Sequence, residues 1–267
     1  LNPKNYARQA YTIPKVSKGP TAAMGEADPA GYINMEKAII DAMEKGPEEC
    51  EAAIKAYKDA MDLTQGSIGG WMGQVVPLRD VARMLKRASP KALIDCICRT
   101  RFLGIEERNE HEYTCMGLGV GMLKWERWPE RYKGGLHWVN TEEAKEWLRQ
   151  MDKRGFVHSL MMFGPRFIGG ICNCDYPACD ALTARLDFGL NMLKSHYVAM
   201  VDYDLCNGCG ICAQRCQFGA LKMNVTLDKA NIDQMRCFGC GLCETACPRG
   251  AIKLVEREKI PALKEVW

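Results

Sequence analysis

Long apolar runs are missing from this chain. Its most apolar stretches, Val157 to Phe163 and Phe167 to Cys172, are separated by Gly164, Pro165 and Arg166. Neither approaches the roughly 20 residues that a membrane-spanning helix needs, so no membrane span is expected. One-sided charge is missing too: 36 Lys and Arg against 33 Asp and Glu leave a net +3, too even a balance to mark a nucleic-acid or membrane surface. Leu1 to Gly19 has no apolar core of the kind a secretory signal carries, so export is not expected. The glycine-rich stretch Gly66 to Gly70 has no Lys-Ser or Lys-Thr to close a phosphate-binding loop, and Gly164 to Gly170 lacks the glycine order of a dinucleotide turn. No nucleotide, flavin or nicotinamide site is therefore predicted. Histidine is sparse: His111, His137, His158 and His196 are scattered and are assigned no role.

Cysteine, by contrast, is abundant, with 15 in 267 residues. The spacing separates disulfides from metal ligands, because short C-x-x-C repeats bring thiols together on one tight loop whereas disulfide frameworks belong mostly to small secreted domains. Metal ligation is the expectation, and with it a reducing, cytoplasmic setting. Two runs carry it: Cys206, Cys209, Cys212, Cys216, and Cys237, Cys240, Cys243, Cys247 followed by Pro248. Both read C-x2-C-x2-C-x3-C. Ligands at every third residue can wrap a cubane core with three thiolates, and the fourth must come from elsewhere. Zinc ribbons would need only pairs of C-x2-C, which two complete four-cysteine runs exceed. Gly208, Gly210, Gly239 and Gly241 let the backbone turn tightly and bring N–H groups toward the sulfurs.

The two runs also repeat each other. Cys206-Asn-Gly-Cys-Gly-Ile-Cys through Phe218-Gly-Ala-Leu-Lys aligns with Cys237-Phe-Gly-Cys-Gly-Leu-Cys through Arg249-Gly-Ala-Ile-Lys, which marks a duplicated unit. Short strands are predicted at Tyr197 to Val201, Leu221 to Val225 and Ile252 to Val255. From about Tyr197 to Val255 the chain closely resembles the bacterial two-cluster ferredoxins. The resemblance implies a small α+β fold holding two [4Fe–4S] clusters that exchange their last ligands. Cluster one would use Cys206, Cys209, Cys212 and Cys247, and cluster two Cys237, Cys240, Cys243 and Cys216. One departure stands out: the family usually has Pro after the fourth cysteine of both runs, but Gln217 follows Cys216. A more polar environment is expected for the cluster that uses Cys216.

Residues 1–195 read as a helix-rich domain, with residues 196–267 as the ferredoxin domain and its tail. Gly46 and Pro47 open a helix whose Cys50, Ile54, Tyr57 and Met61 recur at helical spacing, with Cys50 a core thiol. Leu78, Val81, Ala82 and Leu85 line one face of a second helix. A third runs from Thr141 as N-cap through Ala144, Trp147, Leu148 and Met151 to Gly155, and Phe156 to Phe163 reads as a strand. Six further cysteines lie here: Cys96, Cys98, Cys115, Cys172, Cys174 and Cys179. In an extended chain each C-x-C pair faces one side, so Cys96, Cys98, Cys172 and Cys174 could hold a third metal site, with Cys115 and Cys179 as substitutes. Spacing leaves the choice open among a third iron–sulfur cluster, zinc and buried core thiols. Val76-Pro77-Leu78, Cys96-Ile-Cys-Arg99, Cys115-Met-Gly-Leu118, Gly155-Phe-Val-His158 and Cys172-Asn-Cys174 together resemble the front part of long ferredoxin-like proteins of anaerobic microbes. Those relatives carry extra cysteines where this chain has Asp175, Tyr176 and Pro177.

Clusters held by four cysteines leave no open iron for a substrate, so single-electron transfer is the expected function. A free ferredoxin needs only the C-terminal module, so the 195 residues before it predict a subunit or docked partner of a larger cytoplasmic oxidoreductase complex, with redox proteins as partners and no nucleic acid. The alternative is a reductase with its own active site at an N-terminal cluster. A redox sensor is weaker, because no DNA-reading element is evident.

Overall fold

The computed structural model describes residues 42, 45–65, 71–96, 113–119, 122, 136–162, 168–176, 178–188 and 191–267. In chain order the elements are α1 (Pro47–Gln65), β1 (Trp71–Val75), α2 (Leu78–Met84), β2 (Lys91–Asp95), β3 (Tyr113–Leu118), β4 (His137–Trp138), α3 (Thr141–Arg154), β5 (Val157–Met162), β6 (Ile168–Cys174), α4 (Asp180–Phe188), β7 (Asn191–Leu193), β8 (Tyr197–Val201), α5 (Ile211–Gln214), β9 (Leu221–Asn224), β10 (Lys229–Ile232), α6 (Leu242–Ala246) and β11 (Ile252–Glu256), followed by two 3-10 turns. Helices and sheets mix throughout, an α+β architecture.

The N-terminal region, expected to be helix-rich, combines its helices with a seven-stranded sheet among the described residues, ordered β4-β2-β3-β6-β5-β1-β7. Neighbours run antiparallel except β1 and β7. Its strands are short and do not show a clean polar alternation, since both faces are covered. On one face Leu93, Met116 and Ile171 meet Val81 and Leu85 near α2 and Ala144, Trp147, Leu148 and Met151 of α3 in one buried cluster. The Trp147 indole N–H donates to the Tyr113 carbonyl at 3.0 Å, fixing α3 across β3. The opposite face presents Ala92, Ile94, Cys115, Cys172 and Cys174.

Local chemistry sets the ends of α3. Its N-cap is Asn140 rather than Thr141: the Asn140 Oδ1 accepts from the N–H groups of Glu142 and Glu143 at 2.9 and 3.0 Å, and the Glu143 carboxylate accepts from the Asn140 N–H at 2.8 Å. This reciprocal box satisfies donors that the first turn leaves free. Gly155, at φ +88°, ends the helix in the left-handed region, and Phe156 N–H returns to the Met151 carbonyl. The strand expected at Phe156 to Phe163 is β5. The predicted strand to Val225 stops one residue earlier, because Asn224 turns the chain by accepting from the N–H groups of Thr226 and Leu227 at 3.0 Å. Cys50, expected in the core, is only half-buried.

Lys194, Ser195 and His196 alone separate β7 from β8. Beyond them the chain forms two antiparallel strand pairs, β8 with the distant β11 and the hairpin of β9 with β10. Their interior (Val198, Ala199, Ala220, Leu221, Ala230, Ile252 and Leu254) surrounds the cysteine loops. This small unit sits against one end of the large sheet. Val75 at the end of β1, Val157 at the start of β5 and Cys174 at the end of β6 share a buried cluster with Phe218, Phe238 and Leu242 from the C-terminal unit.

A duplicated pair of cysteine loops

Each run of cysteines lies on a loop leading into a one-turn helix, the first into α5 and the second into α6. The duplication seen in the sequence is repeated in the hydrogen bonding. Cys206 N–H donates to the Asp202 carbonyl at 3.1 Å, and Cys237 N–H donates to that of Asp233 at 3.0 Å. Ala230 N–H points at the Cys206 sulfur and Ala199 N–H at the Cys237 sulfur, each at 3.5 Å. Gly239 N–H also reaches Cys237 Sγ at 3.4 Å, and Ala251 N–H reaches Cys247 Sγ at 3.3 Å. Donors aimed at sulfur stabilise it as thiolate. The tight loops require glycine at two positions above all: at Gly239 a Cβ would collide with the Tyr197 carbonyl, and at Gly208 with that of Asp228, both at positive φ.

Tertiary structure brings thiols of the two runs within electrostatic reach of one another, and Cys212 of the first run also acts on Cys243 of the second. Cys206, Cys209 and Cys247 are the charged neighbours that act on Cys212. Cys216 acts on Cys237, Cys240 and Cys243, although it belongs to the first run. The thiols differ in environment. Cys209 is exposed and Cys237 buried. Burial pushes the Cys240 thiol up to about 12, with Cys237 and Cys216 acting the same way, and burial also pushes Cys243 strongly upward. Thiols in such a site become thiolates only beside compensating positive charge, which a metal core supplies.

A buried cation gives an independent test of fit. Arg257 is fully buried. Its guanidinium donates to the carbonyls of Ser195 (3.2 Å), Tyr197 (2.9 Å) and Cys237 (2.9 Å), while its Nη1 has no hydrogen-bond partner among the described residues. Burial lowers its pKa, and the thiolate of Cys237 is the charge that opposes this. Lys194 lies nearby, with its ammonium bonded to the Met235 carbonyl and its pKa lowered to about 8 by burial and by the charges of Arg257 and Arg185. Arg257 and Lys194, the latter offset in part by Cys237 and Asp233, set positive charge beside these thiols, as a net-negative thiolate-ligated group would require. The donor set and its surroundings therefore fit an iron–sulfur cluster.

Residues 205–251 match the 4Fe-4S dicluster domain family. This part of the chain is an iron–sulfur, ferredoxin-type module that binds [4Fe–4S] clusters and serves electron transfer. No curated protein matches the chain. No helix among the described residues is long and apolar enough to cross a membrane.

The dicluster module is tied to the sheet through the residues on either side of Cys216. Arg215 donates to the Lys153 and Asp152 carbonyls at 2.7 and 3.2 Å, satisfying the exposed end of α3. Gln217 donates to the carbonyls of Gly155 (2.7 Å) and Cys174 (3.4 Å) and accepts from the Tyr176 N–H (2.8 Å). The glutamine that departs from the family pattern is thus a structural hook between the units, a role that Pro could not fill. One other contributor carried no sequence signal: Arg257 lies after the last cysteine run. His158 is fully buried beneath α3, with Nδ1 against the Asn173 Oδ1 and Nε2 3.6 Å from Asp152. A basic residue closing on the same strands as the entry strand β8 would have singled out Arg257 only once the β8–β11 pairing was known.

Of the six N-terminal cysteines, Cys98 lies outside the described residues. Cys115, expected only as a substitute ligand, is instead directly opposite Cys172 on the neighbouring strand. Two surface clefts, of about 340 and 260 Å³, lie between α2 and the dicluster module, and neither is lined by cysteine.

Proposed function

We propose that this protein relays single electrons between redox protein partners through two [4Fe–4S] clusters, as a subunit or docked component of a larger oxidoreductase assembly in the cytoplasm. The reach of Cys247 to Cys212, and of Cys216 to Cys237, Cys240 and Cys243, carries this reading: Cys206, Cys209, Cys212 and Cys247 would hold one cluster, and Cys216, Cys237, Cys240 and Cys243 the other. When bound, such clusters supply reversible one-electron chemistry with no vacant coordination site. The chain's own residues would place one exchange point at the surface and one inside. Cys209 is exposed between half-exposed Leu205 and Ile211, an apolar rim suited to a transient protein partner. The second group faces the large sheet, shielded by Phe218 and Phe238, whose rings stack with centroids 4.0 Å apart. The division at residues 195 and 196 would then separate a docking domain from a conducting one.

Anaerobically purified protein tests the reading. Iron and acid-labile sulfide should each reach at least about eight per chain, and reduction should produce the spin-resonance signals of two interacting cubanes. The protein should also copurify with a redox protein from its native extract. Colourless material holding zinc would overturn the relay, and a lone, unpartnered chain would overturn the assembly.

A further inference from the structure

Outside the dicluster module the chain carries a second concentration of thiols, gathered from four separate places in the sequence. The β3–β6 register sets Cys115 directly opposite Cys172. Cys174 follows on the same face of β6, about 6–7 Å along the strand. At one flank Cys96, just past β2, touches Cys115, and at the other Cys179, just before α4, touches Cys174. All five are free of disulfides, and Cys96, Cys174 and Cys179 are buried.

Plain core packing explains this face poorly. The opposite face of the same strands is filled with Leu93, Met116 and Ile171, whereas here Cys115, Cys172 and Cys174 take neighbouring positions on β3 and β6, between Ile94 of β2 and Ser159 of β5. Cys115 is in hydrogen-bonding contact with both Cys172 and Cys96, and Cys174 with both Cys172 and Cys179, so the five thiols form one continuous row. A single zinc ion fits less well. Among the described residues no three His, Cys, Asp or Glu side chains close on one point, as Zn–S bonds of about 2.3 Å require.

The location is informative as well. Cys174 and Cys179 belong to the same apolar cluster as Phe218 and Phe238, with Cys216 and Cys240 at its margin. The Cys174 carbonyl also accepts from Gln217, the neighbour of Cys216. The thiol row therefore abuts the inner group of the dicluster module and not the exposed one.

We propose that Cys115, Cys172 and Cys174 hold a third iron–sulfur centre on this sheet face, with its fourth thiolate from Cys96 or Cys179. Resting on the relay reading, the centre extends the path: one electron passes between it and the cluster assigned to Cys216, Cys237, Cys240 and Cys243, one site gaining the electron that the other loses, with no bond or proton transferred.

The experiment is an iron and sulfide count with spin resonance on full-length protein purified and reconstituted without oxygen. The wild type should hold about twelve irons, and the Cys115→Ser/Cys172→Ser double variant about eight, with both dicluster signals retained. Of the single variants Cys96→Ser and Cys179→Ser, the one that removes the fourth ligand should show the same loss of the third signal, and the other should not. A wild-type count of about eight, or one equivalent of zinc beside eight irons, overturns the third centre and leaves the relay standing. A protein with no iron at all overturns the relay instead. The wild-type count decides the matter even if the double variant does not fold.

Discussion

Gln217 and Arg257 show how single side chains outside the ligand set hold an electron-transfer module in place. Gln217 makes three hydrogen bonds across the junction. Replacing it with Ala removes exposed and part-buried hydrogen bonds, each worth about 0.5–1.5 kcal/mol. Denaturant unfolding of Gln217→Ala should show that loss, with iron content unchanged. Arg257 acts through charge. Its buried guanidinium lies against the Cys237 backbone with no carboxylate to balance it among the described residues. Positive charge nearby favours the more negative, reduced form of a cluster, so Arg257→Met should lower the midpoint potential of one cluster and leave the other nearly unmoved. The scale is roughly 59 mV for each 1.4 kcal/mol of attraction removed. Redox titration followed by spin resonance measures it; equal shifts in both clusters would argue against a local effect.

At the scale of elements, most short-range structure was legible in advance. The helices at Pro47, Leu78 and Thr141 and the strand at Val157 follow from caps and periodicity, which depend on neighbours in sequence. The N-cap of α3 was misplaced by one residue because Asn and Thr are adjacent and both can cap; Asn140 wins by pairing reciprocally with Glu143. Asn140→Ala should therefore cost about 1 kcal/mol of stability, read as a lower denaturation midpoint, whereas Thr141→Ala should cost little. The large sheet was mostly missed. Strands such as Lys91–Asp95 and Ile168–Cys174 are covered on both faces and lack period-two alternation, and the pairings that define them join residues far apart in the chain.

For the whole molecule, the dicluster module and the sheet share one apolar junction, so loss of the clusters should reach beyond the cysteine loops. Without a metal core the half-buried Cys240 and Cys243 thiols reprotonate, and the small interior of residues 197–267 loses the group around which it packs. Removal of iron by chelation after oxidation should sharply raise amide hydrogen exchange across β8 to β11, with a smaller rise at Val75, Val157 and Cys174 where the units meet. Protection retained in β8 to β11 after complete iron loss would show that the module's fold is independent of its clusters.

The amino-acid sequence by itself determined the chemistry of the C-terminal module, because ligands for a cubane come from one loop at fixed short spacing and glycine supplies the turns; such information is local. Only the tertiary structure decided that Cys115 faces Cys172, that Gln217 reaches back to the sheet, and that Arg257 lies buried against Cys237. Those placements arise from strand register and from burial between distant segments, physical quantities that exist only once the chain has closed upon itself.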